Sequence, residues 1–172
     1  MNIVHIITIL RLGGIVLKRI SSLIIIVFLL LIGCSKDNSN LYSFDKSKLS
    51  SQLKDASFQP KLPTKLPFKV KSTSVNILET QRNVMSIFIA GKNKEQMDLQ
   101  IIKGKVSLSD DLKRAKVKIN SHKGNYVKNN AGTMILDWDD SGIHYSLAYS
   151  SKLSSGKKIS KEALIDTAKS FK

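Results

Sequence analysis

Thr133-Met134-Ile135-Leu136-Asp137-Trp138-Asp139-Asp140-Ser141-Gly142-Ile143-His144-Tyr145-Ser146-Leu147-Ala148-Tyr149 is the stretch whose reading decides the fold. Apolar and polar residues alternate on both sides of Asp139-Asp140-Ser141-Gly142, and a two-residue period around a turn signal marks an antiparallel hairpin. Placing Trp138 opposite Ile143 also pairs Leu136 with Tyr145 and Met134 with Leu147. All six then share one face, and a slip by one residue would scatter them. Gly142 is expected to supply the positive φ that the turn needs.

The same period extends outward from this hairpin. Strands are expected at Phe68–Leu78, Val84–Ala90, Met97–Lys103, Ala115–Ile119, Tyr126–Asn129, Thr133–Trp138 and Ile143–Tyr149. With a three-residue loop inside Gly91-Lys92-Asn93-Lys94, Met85, Ile87 and Ile89 face Ile101, Leu99 and Met97. At the C-terminus Ser160 suits a helix N-cap, with Ile159 and Leu164 spaced as a hydrophobic staple. Leu164, Ala168 and Phe171 form its apolar stripe, leaving Lys161 and Lys169 for solvent. Upstream, Leu49, Leu53 and Ala56 recur at helical spacing within Asp45–Ser57, and Pro60, Pro63 and Pro67 enforce an extended lead-in. The predicted fold is α+β: a curved antiparallel sheet of about six or seven strands with the C-terminal helix packed on one face.

The N-terminal third is of another kind. Ile20 to Ile32 is apolar apart from Ser21 and Ser22. As a helix it would be about 20 Å long, short of the roughly 30 Å hydrocarbon core. Lys18-Arg19 precedes it and Leu31-Ile32-Gly33-Cys34 ends it, the layout of a secretory signal. The Leu-Ile-Gly-Cys run, holding the sole cysteine of the chain, resembles the lipobox of bacterial lipoproteins. That resemblance implies cleavage before Cys34, S-diacylglyceryl and N-acyl groups on Cys34, and a protein anchored to a membrane rather than spanning it. Residues 1–16 precede a signal that is complete without them, so translation is expected to start near Val16 or Leu17. The expected organisation is a signal peptide at 1–33, a tether and short helix at 34–57, and the sheet-plus-helix domain at 58–172.

Two further stretches resemble a Gram-positive extracytoplasmic domain family of unknown function. Phe58-Gln59-Pro60-Lys61-Leu62-Pro63-Thr64-Lys65-Leu66-Pro67 is similar to its P-x-x-LP-x-x-LP opening. Trp138-Asp139-Asp140-Ser141-Gly142-Ile143-His144-Tyr145-Ser146-Leu147 and Ser160-Lys161-Glu162-Ala163-Leu164-Ile165-Asp166-Thr167-Ala168 are similar to its hairpin and its helix. The family occurs in lipoproteins and on the outer side of anti-sigma-factor and sporulation proteins, and its sheet is distantly similar to lipoprotein carriers. It implies no catalytic residue and no cofactor. The chain lacks a cytoplasmic sigma-binding region, so an anti-sigma role is not implied.

Composition narrows the function classes. A single Cys excludes an intramolecular disulfide framework and any Cys-rich zinc site. His122 and His144 lack a helix-borne H-E-x-x-H, so a catalytic zinc is not expected. Asp137, His144 and Ser146 share the non-core face of the hairpin, Asp137 opposite His144. A cross-strand surface pair is the simpler reading, and a small hydrolase the remote one. Asp137-x-Asp139-x-Ser141-Gly142 opens like a calcium loop, but Ala148 stands where the bidentate Glu belongs. No cofactor or metal is expected.

Charge remains. The chain holds 28 Lys and Arg against 13 Asp and Glu; Arg11, Lys18 and Arg19 fall in the signal, leaving 25 bases and a net +12. Lys103, Lys105, Lys113, Arg114, Lys116, Lys118, Lys123 and Lys128 crowd one stretch. Beyond the signal only Arg82 and Arg114 are Arg, whereas nucleic-acid recognition favours Arg, and the address is extracellular. Anionic lipid head groups, wall polymers or another envelope protein are the expected partners. The expected role is a non-enzymatic, lipid-anchored binding module on the outer face of the cytoplasmic membrane. The alternative is a carrier enclosing a lipid or acyl chain between Phe88, Trp138, Tyr145 and Phe171.

Overall fold

The computed structural model describes residues 40–77, 81–108, 113–151 and 158–172. Cys34 and the signal peptide lie outside the described residues. The described elements run β1 (Tyr42–Ser43), α1 (Ser47–Gln52), β2 (Lys65–Leu66), β3 (Val70–Ile77), β4 (Val84–Gly91), β5 (Glu95–Lys103), β6 (Ala115–Ile119), β7 (His122–Lys128), β8 (Met134–Asp140), β9 (Ile143–Ser151) and α2 (Lys161–Lys169). Strands β3 to β9 form one antiparallel sheet in the order β3-β4-β5-β9-β8-β7-β6, and β1 pairs with β2 in a separate two-stranded ribbon. The architecture is α+β, as the alternation predicts.

Strand periodicity sorts the seven-stranded sheet into two chemically different faces. One cross-strand row reads Val75, Ile87, Leu99, Leu147, Leu136 and Tyr126. The neighbouring row on the opposite face reads Asn76, Ser86, Gln100, Ser146, Asp137, Asn125 and Lys116, polar on every strand. The apolar face is covered by Leu49 and Leu53 of α1 and its exit, by Phe58, Leu62, Leu66 and Phe68 of the proline-rich lead-in, and by Leu164 and Ala168 of α2. Every described residue of this core belongs to the compact unit Ser39–Lys172.

The β4–β5 hairpin has the expected register, Met85↔Ile101, Ile87↔Leu99 and Ile89↔Met97. Its loop is Lys92 to Lys94, with Lys94 at φ 64°. The β8–β9 hairpin corrects the expectation. Trp138 faces Tyr145, Leu136 faces Leu147 and Met134 faces Tyr149, so the register lies two residues from the one expected. Ser141 and Gly142, at φ 54° and 76°, make a two-residue turn in which both central residues are left-handed. An even shift leaves every side chain on its face, so the apolar grouping survives while the partners change.

First and last segments are clasped together. Leu62 and Lys172 exchange backbone hydrogen bonds at 3.2 and 3.1 Å. The buried Ser170 hydroxyl accepts the N–H groups of Thr64 and Lys65, each at 3.2 Å, and donates to the Thr167 carbonyl at 2.7 Å. Ser160 caps α2 as expected, its hydroxyl accepting the Ala163 N–H at 3.1 Å. Lys169 is exposed and pairs with Asp166 at 2.9 Å. Lys161 departs from the expectation, because its ammonium lies 5.1 Å from the centre of the Tyr126 ring rather than free in solvent.

Candidate functional surfaces

The Lys-rich stretch folds mainly onto the β6–β7 edge. Lys116 and Lys118 are both exposed and stand on the polar face, as their alternation with Val117 and Ile119 predicts. Lys116 donates to Asn125 Oδ1 at 2.8 Å. Lys118 sits directly opposite Lys123, and like charges facing across a ladder repel. Two exposed cations held side by side suit an anionic partner better than they suit stability. Arg114 behaves differently, because its guanidinium reaches Asp137 at 2.6 Å, where that carboxylate is 3% exposed. Its buried Nε has no hydrogen-bond partner among the described residues.

This ion pair separates the residues grouped for the remote hydrolase reading. The corrected register places Asp139, not Asp137, opposite His144, and Asp137 opposite Ser146. His144 Nδ1 lies 2.9 Å from Asp139 Oδ1, while Asp137 is committed to Arg114. Among the described residues no hydrogen bond joins Ser146 to His144. The three share a face, yet they are not wired as an acid–base relay. The calcium-like loop is divided in the same way, Asp137 going to Arg114 and Asp139 to His144.

A second polar cluster forms where the lead-in crosses the hairpin. Lys61 Nζ lies 2.6 Å from Asp140 Oδ2, the Lys61 N–H donates to Tyr145 Oη at 3.0 Å, and Ser141 donates to Asp140 Oδ1 at 2.7 Å. His122 Nε2 stands 3.7 Å from the same carboxylate. The Lys61 hydrogen bond holds the Asp140 carboxyl below its ordinary value, against the opposing effect of burial. Burial pushes the Tyr145 phenol up. The cluster ties the LP segment to the hairpin.

The four residues expected to line a carrier's groove do not surround one space. Trp138 and Tyr145 stack with ring centres 5.0 Å apart, and Phe171 closes edge-on at 5.1 and 5.6 Å. These rings fill the region, while Phe88 stands in the row of Ser74 and Asp98 on the opposite face. Glycine at 124, opposite Trp138, leaves room for the Ile119 side chain. A Cβ there would come within 2.9 Å of Ile119 Cδ1 and 3.0 Å of the Asp137 carbonyl.

One basic surface escaped the sequence reading. Lys48, Lys69, Lys71 and Lys92 line a groove between α1, the start of β3 and the β4–β5 turn. They are scattered along the chain, and no composition window gathers them. No helix among the described residues is long and apolar enough to cross a membrane. None of the curated proteins and none of the solved structures matches the chain. The lead-in, the corrected hairpin and α2 all fall inside the stretch 60–171 that matches the family described as Domain of unknown function (DUF4367), and the chain belongs to that family.

Proposed function

We propose that this is a lipid-anchored extracytoplasmic envelope protein, acylated at Cys34, whose domain is a non-enzymatic binding module for an anionic envelope component. The observation that carries the reading is the position of the sole cysteine. Cys34 directly follows Leu-Ile-Gly at the end of a short apolar run, with a polar segment and then the first strand, Tyr42–Ser43, after it. Two or three acyl chains, each buried CH₂ contributing about 0.8 kcal/mol, would hold the chain firmly at a membrane. The lysine-rich β6–β7 edge, with Lys118 opposite Lys123, supports an anionic partner. Of the hairpin carboxylates, Asp137, Asp140 and Asp139 are engaged by Arg114, Lys61 and His144 respectively.

Growth with a clickable palmitate tests the anchor. The wild-type chain should take up label and fractionate with membranes, and Cys34→Ser should do neither. Equal labelling of the two would overturn the proposal.

A further inference from the structure

The fold carries two basic surfaces at opposite edges of one sheet. Strands β3 and β6 are the outermost of the seven, and six steps of about 4.8 Å put them roughly 29 Å apart. Screening confines a charged surface to a reach of about 8 Å at physiological ionic strength. With the sheet standing edge-on to a flat surface, one edge works against it at a time.

The groove at the β3 edge encloses about 780 Å³ and is lined by Tyr42, Asp45, Lys48, Lys69, Lys71 and Lys92, among others. All four lysines are exposed, and none forms an ion pair with a described residue. The lone acid, Asp45, faces Lys48 electrostatically and offsets only one of the four charges. The Asp45 carboxylate accepts the Ser47 N–H at 2.9 Å, and that hydrogen bond lowers its pKa. The Lys69 ammonium stands 5.6 Å from the centre of the Tyr42 ring, which keeps it at the rim. Net charge in the groove is strongly positive, and the lining begins with the first described strand of the domain.

Covalent length then selects the occupant. Tyr42 is eight residues from Cys34, and eight residues span at most about 29 Å even when fully extended. A membrane that holds Cys34 must lie within that distance of Tyr42, a residue that itself lines the groove. We infer that the groove of Lys48, Lys69, Lys71 and Lys92 is a docking surface for anionic phospholipid head groups, and that it turns the β3 edge to the membrane and the β6–β7 lysines away from it. The inference rests on the anchor at Cys34. A soluble phosphate polymer would meet the same lysines, but it has no reason to be found at the attachment end of the chain.

The anchor-free chain 35–172, which contains every described core residue, is mixed with vesicles of phosphatidylcholine alone or with about 30% phosphatidylglycerol, and sedimentation reads the bound fraction. Each lysine near an anionic surface is worth roughly fivefold in partition. Binding should require phosphatidylglycerol and weaken steeply with salt. Lys48→Ala with Lys69→Ala should lower partition about 30-fold, several times more than Lys118→Ala with Lys123→Ala. No binding at low salt, or loss only in the Lys118/Lys123 pair, overturns the inference. Capture of inorganic polyphosphate at the groove without vesicle binding overturns it in favour of a soluble polyanion. An unlabelled Cys34 would defeat the anchor while vesicle binding stood, and absent vesicle binding would defeat the groove while the label stood.

Discussion

Ser170 shows how much one small side chain can organise. Its hydroxyl is buried and faces two backbone N–H groups of the lead-in, so truncating it strands at least the Lys65 donor. Leaving a buried donor unsatisfied costs about 1–3 kcal/mol. Ser170→Ala should lower stability by about 2 kcal/mol in urea unfolding. The Arg114–Asp137 pair makes a sharper test. Removing Arg114 alone leaves a carboxylate that is 3% exposed without its cation, a change worth about 3–5 kcal/mol. Arg114→Met should therefore destabilise strongly, and adding Asp137→Leu should restore most of the loss. Persistence of the full loss in the double variant would mean that the pair is not the cause. Asp140 sets a pH dependence. Its folded pKa lies below the ordinary 3.8 chiefly through Lys61, so its stabilising contribution is complete above that value. The contribution is lost as pH falls through the lowered folded value. Between about pH 5 and pH 2, wild type should lose more stability than Asp140→Asn.

At the scale of elements, the β8–β9 hairpin shows which information periodicity contains. Alternation sets which face each residue takes, and Met134, Leu136, Trp138, Tyr145 and Leu147 are all buried as expected. Alternation cannot separate a two-residue turn from a four-residue one, because the two differ by an even number of residues. The left-handed conformation of Ser141 and Gly142 chooses the shorter turn, and with it the partner of every residue in both strands. Gly142→Ala, at φ 76°, should cost about 1 kcal/mol. Gly124→Ala should cost about 1–3 kcal/mol, since its neighbours include a backbone carbonyl that cannot step aside. The α2 cap was legible because Ser160 acts on Ala163, three residues away. The clasp through Ser170, the Lys61–Asp140 contact and the lysine groove were not. Each joins residues brought together only by the strand order, and no local pattern encodes that.

The whole molecule pairs one apolar sheet face, closed by its own lead-in and helix, with one polar face and two basic edges. Family membership over residues 60–171 accounts for the framework. The proposal of an anionic boundary rests on the chain's charge and on the cysteine ahead of the domain. An anchor at Cys34 would hold the β3 edge near that boundary and leave the β6–β7 edge free for a partner. The intact mass of the mature protein extracted from cell membranes tests this central claim most directly. The account predicts a chain of residues 34–172 carrying the added mass of a diacylglyceryl group and a further acyl group, all of it lost from the membrane fraction in Cys34→Ser. A mature chain that begins elsewhere, or one whose Cys34 carries no added mass, would contradict it.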